Sequence, residues 1–178
     1  FKLARYKTKR ERMISFFGAF HGRTMGSLSL TGSKVRQKEN FGSLVPGVTH
    51  VGYGYCYRCP YHLTYPSCGI DCVDYIEHTL FKKTVPAEEV AAIIIEPVQG
   101  EGGYVVPPPG YHQKLRDLTK KYGILLIADE VATGFGRTGK IFAAQTEKVS
   151  PDLMAVAKGL PGGYLPLAAT LASAEIYE

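Results

Sequence analysis

The chain has 178 residues, 45% hydrophobic and 21% charged, with a net charge of +5. That is enough apolar material for one sizeable core, and it excludes a disordered or low-complexity chain. No run of about eighteen apolar residues is present and no signal-like stretch opens the sequence, so the reading is one soluble, cytoplasmic domain without a membrane partner. Lys2, Arg5, Lys7, Lys9, Arg10 and Arg12 crowd the start. Without the aromatic platform that single-strand binding needs, they read as a solvated helix face rather than a nucleic-acid site. Phe1 in place of Met, an opening that is already helical, and a close at Ser173 to Glu178 that resembles the first turn of another helix are expected of a piece of a longer protein.

In chain order, Lys2 to Arg10 reads as the end of a helix and Met13 to Phe17 as a short strand. A loop Phe20-His21-Gly22-Arg23-Thr24 follows, then a helix from about Thr24 to Leu30. Lys34 to Gly47 is polar and irregular, Thr49 to Tyr53 reads as a strand, and Tyr55 to Gly69 is dense in Tyr, Pro and Cys. Ile70, Val73, Ile76 and Leu80 share one face of a helix expected over Ile70 to Phe81. Ala91 to Ile95 is a strand, and Tyr111, Leu115, Leu118 and Tyr122 recur at helical spacing. Gly123 to Gly139, GILLIADEVATGFGRTG, is a buried strand ending in two acids and running into a glycine-rich turn. Strands Leu153 to Ala157 and Leu167 to Ala172 complete the chain. Strands alternating with helices predict an α/β fold with three layers and a mostly parallel sheet.

Three apolar runs end in chemistry-bearing residues: Glu96 after Ala91 to Ile95, Asp129 with Glu130 after the central run, and Lys158 after Leu153 to Ala157. The carboxyl edge of an open parallel sheet is where ligands bind. If these strands are neighbours, an amine and two carboxylates converge there. Pyridoxal phosphate (PLP) needs a lysine for its aldehyde and a carboxylate against its ring nitrogen, which Lys158 and Asp129 could supply. Few polar neighbours surround Lys158, so a partly desolvated amine is expected. In the loop at Phe20, a flat ring can stack on a cofactor, and Arg23 can take a carboxylate in bidentate fashion.

Two other motifs compete. Gly134-Phe-Gly136-Arg-Thr-Gly139 matches a dinucleotide fingerprint, but Asp129 and Glu130 stand between strand and glycines and would oppose a pyrophosphate. Cys56, Cys59, Cys68 and Cys72 could enclose zinc or an iron cluster, which keeps open a non-catalytic cysteine-metal interaction module. Reduced structural thiols, or disulfides, are the other readings.

Four linked segments, FHGRT at 20 to 24, IIEPVQGEGG at 94 to 103, DEVATGFGRTGK at 129 to 140 and PDLMAVAKGLPGGYLPL at 151 to 167, resemble the class III (omega) aminotransferases. These are PLP enzymes of fold type I, and the resemblance runs along nearly the whole chain. It implies that residues 1 to 178 are the central part of the large PLP-binding domain, without the phosphate-binding turn or the small C-terminal domain, and inactive alone. By the resemblance Lys158 carries the Schiff base, Asp129 meets the pyridine nitrogen, Phe20 and Val131 flank the ring, His21 stands close by and Glu96 supports the network. Arg23 matches an arginine that takes a substrate carboxylate, and Glu101 an acid that gates a second, downstream arginine. The implied reaction moves an amino group from an omega-amino acid of the 4-aminobutyrate or ornithine type to a 2-oxo acid, in a homodimer or higher homo-oligomer. Ala132 stands where members acting on 4-aminobutyrate have Gln. That resembles the diaminononanoate synthases of biotin biosynthesis, while the front of the chain and its cysteine loop are similar to archaeal relatives that include racemases.

Overall fold

A computed structural model describes residues 1–177; the last position of the expected final helix, Glu178, lies outside them. Six strands form one sheet: β1 (Arg12–Phe16), β2 (Val48–Val51), β3 (Val90–Ile95), β4 (Leu125–Asp129), β5 (Leu153–Val156) and β6 (Ala169–Ala172). They lie in the order β2-β1-β3-β4-β5-β6. All neighbours pair parallel except β5 with β6, which pair antiparallel.

The sheet is covered on both faces, as its unbroken apolar runs require. Successive β3 residues divide between two cores. Ile93 and Ile95 join Ile14, Phe16, Tyr111, Leu115 and Leu118, while Ala92 and Ile94 join Ala4, Met13, Ile127 and Leu153. Two helices, α1 (Lys2–Thr8) and α2 (Met25–Leu30), pack on the second face, and Ile176 of α6 (Ala174–Tyr177) reaches the same cluster. On the first face stand α3 (Asp71–Tyr75), α4 (Phe81–Lys83) and α5 (Tyr111–Tyr122). The last is closed by Gly123 in the left-handed region at φ 60°, a conformation glycine adopts without strain.

One expected element differs in form. Helix Ile70 to Phe81 is broken into α3, a wide π-helical segment Ile76–Leu80, and α4. Ile70 itself precedes the helix at φ 64°. The wider turn keeps both Ile76 and Leu80 against the core, at 0% and 6% exposure, a compromise between packing and helical period. The last strand also starts later than expected, at Ala169, because its antiparallel partner β5 ends at Val156, which pairs with Ala169 and leaves Leu167 and Ala168 without a strand to pair with.

Candidate active site

Because β3, β4 and β5 are consecutive in the sheet, their carboxyl ends bring Glu96, Asp129 and Lys158 to one edge. A cavity of about 500 Å3 opens there, lined by all three together with Phe20, His21, Val131, Glu101 and Arg137. Strand β1 delivers the Phe20 loop to the same place. Of the residues that the family resemblance ties to cofactor or substrate, Arg23 stands outside this cavity and lines an adjoining hollow with Glu101.

Asp129 is held on both oxygens. His21 Nδ1 lies 2.8 Å from Oδ2, and the Val131 N–H donates to Oδ1 at 3.1 Å. The imidazole's other nitrogen, Nε2, is buried with no hydrogen-bond partner. Glu96 ties two loops together, accepting the Phe20 N–H at 2.8 Å and the Gly100 N–H at 3.0 Å. Burial pushes its carboxyl up, against the pull of those two N–H groups, and Asp129 adds to the rise. From behind, Tyr53 donates its hydroxyl proton to the backbone oxygens of Glu96 and Pro97 at 3.0 and 3.2 Å.

Glu130, the second acid of the strand, does something else. It is fully buried and accepts from the Thr133 hydroxyl and from the N–H groups of Ala143 and Ala144, the last at 2.8 Å. It therefore stitches the glycine-rich turn to the segment beyond it. A buried carboxylate with that many donors is a structural fixture, and its position beside Asp129 in sequence did not reveal the difference. Glu130 is the first residue past β4, and the rule that successive side chains of an extended chain point to opposite sides was the available signal.

Lys158 departs from expectation. Its side chain is exposed rather than partly desolvated, because β5 ends at Val156 and residues 158 to 164 are surface turns. Its position is nevertheless fixed by a close approach: a Cβ on Gly159 would lie 2.6 Å from Phe135 Cβ, so the lysine turn packs on the glycine-rich turn only if residue 159 has no side chain. In the glycine-rich turn itself Gly134 packs against the Glu130 carbonyl, where a Cβ would lie 2.7 Å from the oxygen, while Gly136 and Gly139 hold the left-handed backbone at φ 87° and 90°; no helix opens directly after them to hold a pyrophosphate. Lys34 and Tyr104 also line the cavity, and no sequence signal had singled them out.

The four cysteines, all reduced, border a separate cavity of about 20 Å3 beneath Tyr53 and Tyr61. Burial and the neighbouring Cys59, Cys68 and Cys56 push the Cys72 thiol up to about 12. Among the described residues no three His, Cys, Asp or Glu side chains form an arrangement that could hold a metal ion. No described helix is long and apolar enough to cross a membrane.

Comparison with known proteins agrees with this geometry. The description of aminotransferase class III matches residues 1–178. The chain is 46% identical over 179 residues to the 4-aminobutyrate aminotransferase GabT of Escherichia coli (strain K12), covering 99% of this chain and 39% of that protein. It is 43% identical over 174 residues to the adenosylmethionine-8-amino-7-oxononanoate aminotransferase of Geobacter sulfurreducens, covering 97% of this chain and 38% of that one. An (S)-enantioselective omega-transaminase from Thermomicrobium roseum superposes with a TM-score of 0.91 at 43% identity, over 99% of this chain and 40% of that structure. The chain thus spans about two fifths of the length of the proteins it matches, and it belongs to the class III aminotransferases.

Proposed function

We propose that the full-length protein carrying this chain is a PLP-dependent aminotransferase that moves an amino group from an omega-amino acid, of the 4-aminobutyrate or ornithine type, to a 2-oxo acid. The observation that carries this reading is the shared cavity: an ammonium, Lys158, and a buried carboxylate, Asp129, line one hollow large enough for a pyridine ring. Lys158 has no hydrogen-bond or ion-pair partner among the described residues. Asp129 is oriented by His21 and Val131, and aromatic Phe20 supplies a flat wall. These residues fit the cofactor's needs. Residues 1 to 178 then form the central part of the large domain, and the phosphate is held elsewhere in the full protein.

When bound, PLP supplies an aldehyde that takes up an amine and a ring that withdraws electrons from the adjoining carbon. Lys158 is the residue that would hold that aldehyde, and its amine, when unattached, would be a base able to move a proton at the donor's carbon. Asp129, fixed on both oxygens, would keep a proton on the ring nitrogen. Phe20 and Val131 would limit tilting of the ring. Glu96 takes no proton in this scheme: it fixes the Phe20 loop against the Gly100 loop.

Arg23 is the residue we assign to the donor's carboxylate. A homodimer or higher homo-oligomer in the cytoplasm is part of the reading, supported by Tyr164 and Leu165, which are 91% and 74% exposed just beyond Lys158, an apolar surface suited to a second subunit. Ala132, at the wall of the cavity, favours a second reading, transfer of an amino group onto an amino-oxononanoate, in line with the relative from Geobacter sulfurreducens. The test is a donor panel on the full-length polypeptide: 4-aminobutyrate, ornithine and diaminononanoate with 2-oxo acid acceptors. Amino transfer from the first two supports the reading, and transfer from the third alone favours the second. Racemisation of an amino acid without any amino transfer contradicts both.

A further inference from the structure

Cys56, Cys59, Cys68 and Cys72 border one small hollow with Tyr53 and Tyr61, and the proposed amino transfer uses none of them. Two pieces of chain supply them. Cys56 opens the turn Cys56–Arg58 and Cys59 follows it; Cys68 lies just before α3 and Cys72 within it. Each piece is held by contacts of its own. A Cβ on Gly52 would lie 2.9 Å from Pro60 Cγ and from Tyr61 Cε2, so the first piece lies flat on the chain that leaves β2. Lys114 Nζ donates to the Gly69 backbone oxygen at 2.7 Å and to Asp74 Oδ2 at 2.6 Å, which ties the second piece to α5. The backbones on both sides of the hollow are therefore fixed, and the thiols between them are what can turn.

Among the described residues no three of these thiols stand where they could share a metal ion, so the hollow suits pairs. The fields that the thiols exert on one another show which pairs. After burial, the group that raises Cys56 most is Cys68, ahead of its sequence neighbour Cys59. After burial, the group that raises Cys72 most is Cys59, ahead of Cys68. Repulsion of this kind falls with separation, so each of these two thiols faces the opposite piece more closely than its own. Access differs as well. Cys56 is exposed and the other three are partly buried. A thiol must ionise to react, and Cys72, pushed up to about 12, does so rarely near neutral pH.

We propose that the cysteine loop is a redox clasp: a low-molecular-weight disulfide such as glutathione disulfide oxidises it in two steps, first joining Cys56 to Cys68 and then, more slowly, Cys59 to Cys72. In the first step the Cys56 thiolate attacks one sulfur of glutathione disulfide. That S–S bond breaks, and the glutathione thiolate that leaves takes up a proton in place of the one Cys56 gave up. Cys68, deprotonated in its turn, attacks the Cys56 sulfur of the mixed disulfide and expels the second glutathione, which also leaves as a thiol. Two protein thiols are oxidised to one disulfide, and one glutathione disulfide is reduced to two thiols. Cys59 and Cys72 close by the same exchange. The closed clasp joins the turn to α3 beside Tyr53, whose hydroxyl donates to the Glu96 and Pro97 carbonyls behind the cavity.

The experiment uses the full-length enzyme with its cofactor, reduced and then incubated near neutral pH with glutathione disulfide as the probe. At intervals the free thiols are blocked with iodoacetamide, and the protein is digested with trypsin, chymotrypsin and Asp-N protease. Cuts after Arg58, after Tyr61 and before Asp71 place the four cysteines on separate peptides, so mass spectrometry reads each bridge. The expected products join Cys56 to Cys68 and Cys59 to Cys72, the second forming at least about tenfold more slowly. In Cys68→Ser, Cys56 should accumulate as its glutathione adduct while Cys59 still joins Cys72. Main products that join Cys56 to Cys59 or Cys68 to Cys72, a Cys59 to Cys72 bridge that forms first, thiols that stay unreacted, or a zinc ion held by the reduced loop each overturn the proposal. None of these readings needs amino transfer, so the clasp and the proposed reaction fail separately.

Discussion

His21 Nδ1 stands 2.8 Å from Asp129 Oδ2, and the two side chains are 2% and 8% exposed. A carboxylate buried beside an imidazole and a backbone N–H has few orientations left, so its remaining lone pairs face the cavity. Replacing Asp129 with Asn keeps the shape and removes the charge. We expect a loss in kcat of about a hundredfold to a thousandfold, the scale for a fixed group that stabilises developing charge. His21→Asn should cost less, about tenfold to a hundredfold, because His21 acts by orienting Asp129. Steady-state kinetics on the full-length enzyme checks both, and a His21 variant more damaged than the Asp129 variant would reverse the assigned roles.

Glu96 and Glu130 should behave as fixtures of the fold. Glu130→Gln leaves one of three donors facing an amide nitrogen, at a cost of about 2 kcal/mol or more. Glu96→Gln has the same problem with two donors, and about 1 to 2 kcal/mol is expected. Denaturant unfolding measures each, and the larger loss should belong to Glu130.

Gly159 tests the placement of Lys158 without touching the amine. An alanine there would put its Cβ 2.6 Å from Phe135 Cβ, so the two turns must separate and the lysine must move with them. We expect Gly159→Ala to lower kcat by at least about tenfold, since small displacements of a reacting group are costly. Restoration by a second substitution, Phe135→Gly, which removes the opposing Cβ at a residue already in the left-handed region at φ 57°, would tie the effect to this contact.

Burial pushes His112 below its usual range, with Glu147 opposing, and His50 is pushed down by burial with Lys38 adding to it. A histidine whose folded pKa is depressed binds fewer protons in the folded state. Its neutral form therefore contributes stability above the unfolded value of 6.5, and that contribution is lost as pH falls through and below it. His112 borders an apolar hollow with Ile95, Leu126 and Val149, where a leucine can sit without charging. The fall in Tm between about pH 7.5 and about pH 5.5 should be smaller in His112→Leu than in the wild type, with the His50 share remaining. Equal falls in both would show that His112 is not a source of the acid sensitivity.

Much of this arrangement was legible in the sequence because parallel strands leave a plain signal. Unbroken apolar runs ending in Glu96, Asp129 and Lys158 located three strands and the edge they share. The order of those strands required the structure, since periodicity does not say which strand lies beside which. Lys34 escaped notice because it sits in a polar segment with no pattern, and the carboxylate it pairs with, Glu101, lies far along the chain. The exposure of Lys158 was misjudged for a related reason. Small and apolar sequence neighbours suggest a dry setting, but dryness comes from what packs on a turn, and here residues 158 to 164 lie at the surface. The π-helical segment Ile76–Leu80 was likewise hidden, because its side chains fit an ordinary helical face well enough.

The central claim is that Lys158 is the residue that takes the cofactor. Borohydride reduction of the full-length enzyme, purified with PLP, followed by peptide mass spectrometry, tests it most directly. The account predicts a pyridoxyl adduct on Lys158 alone, and none in a Lys158→Ala variant, which should also lose amino transfer. An adduct on another lysine, or full turnover by Lys158→Ala, would contradict it.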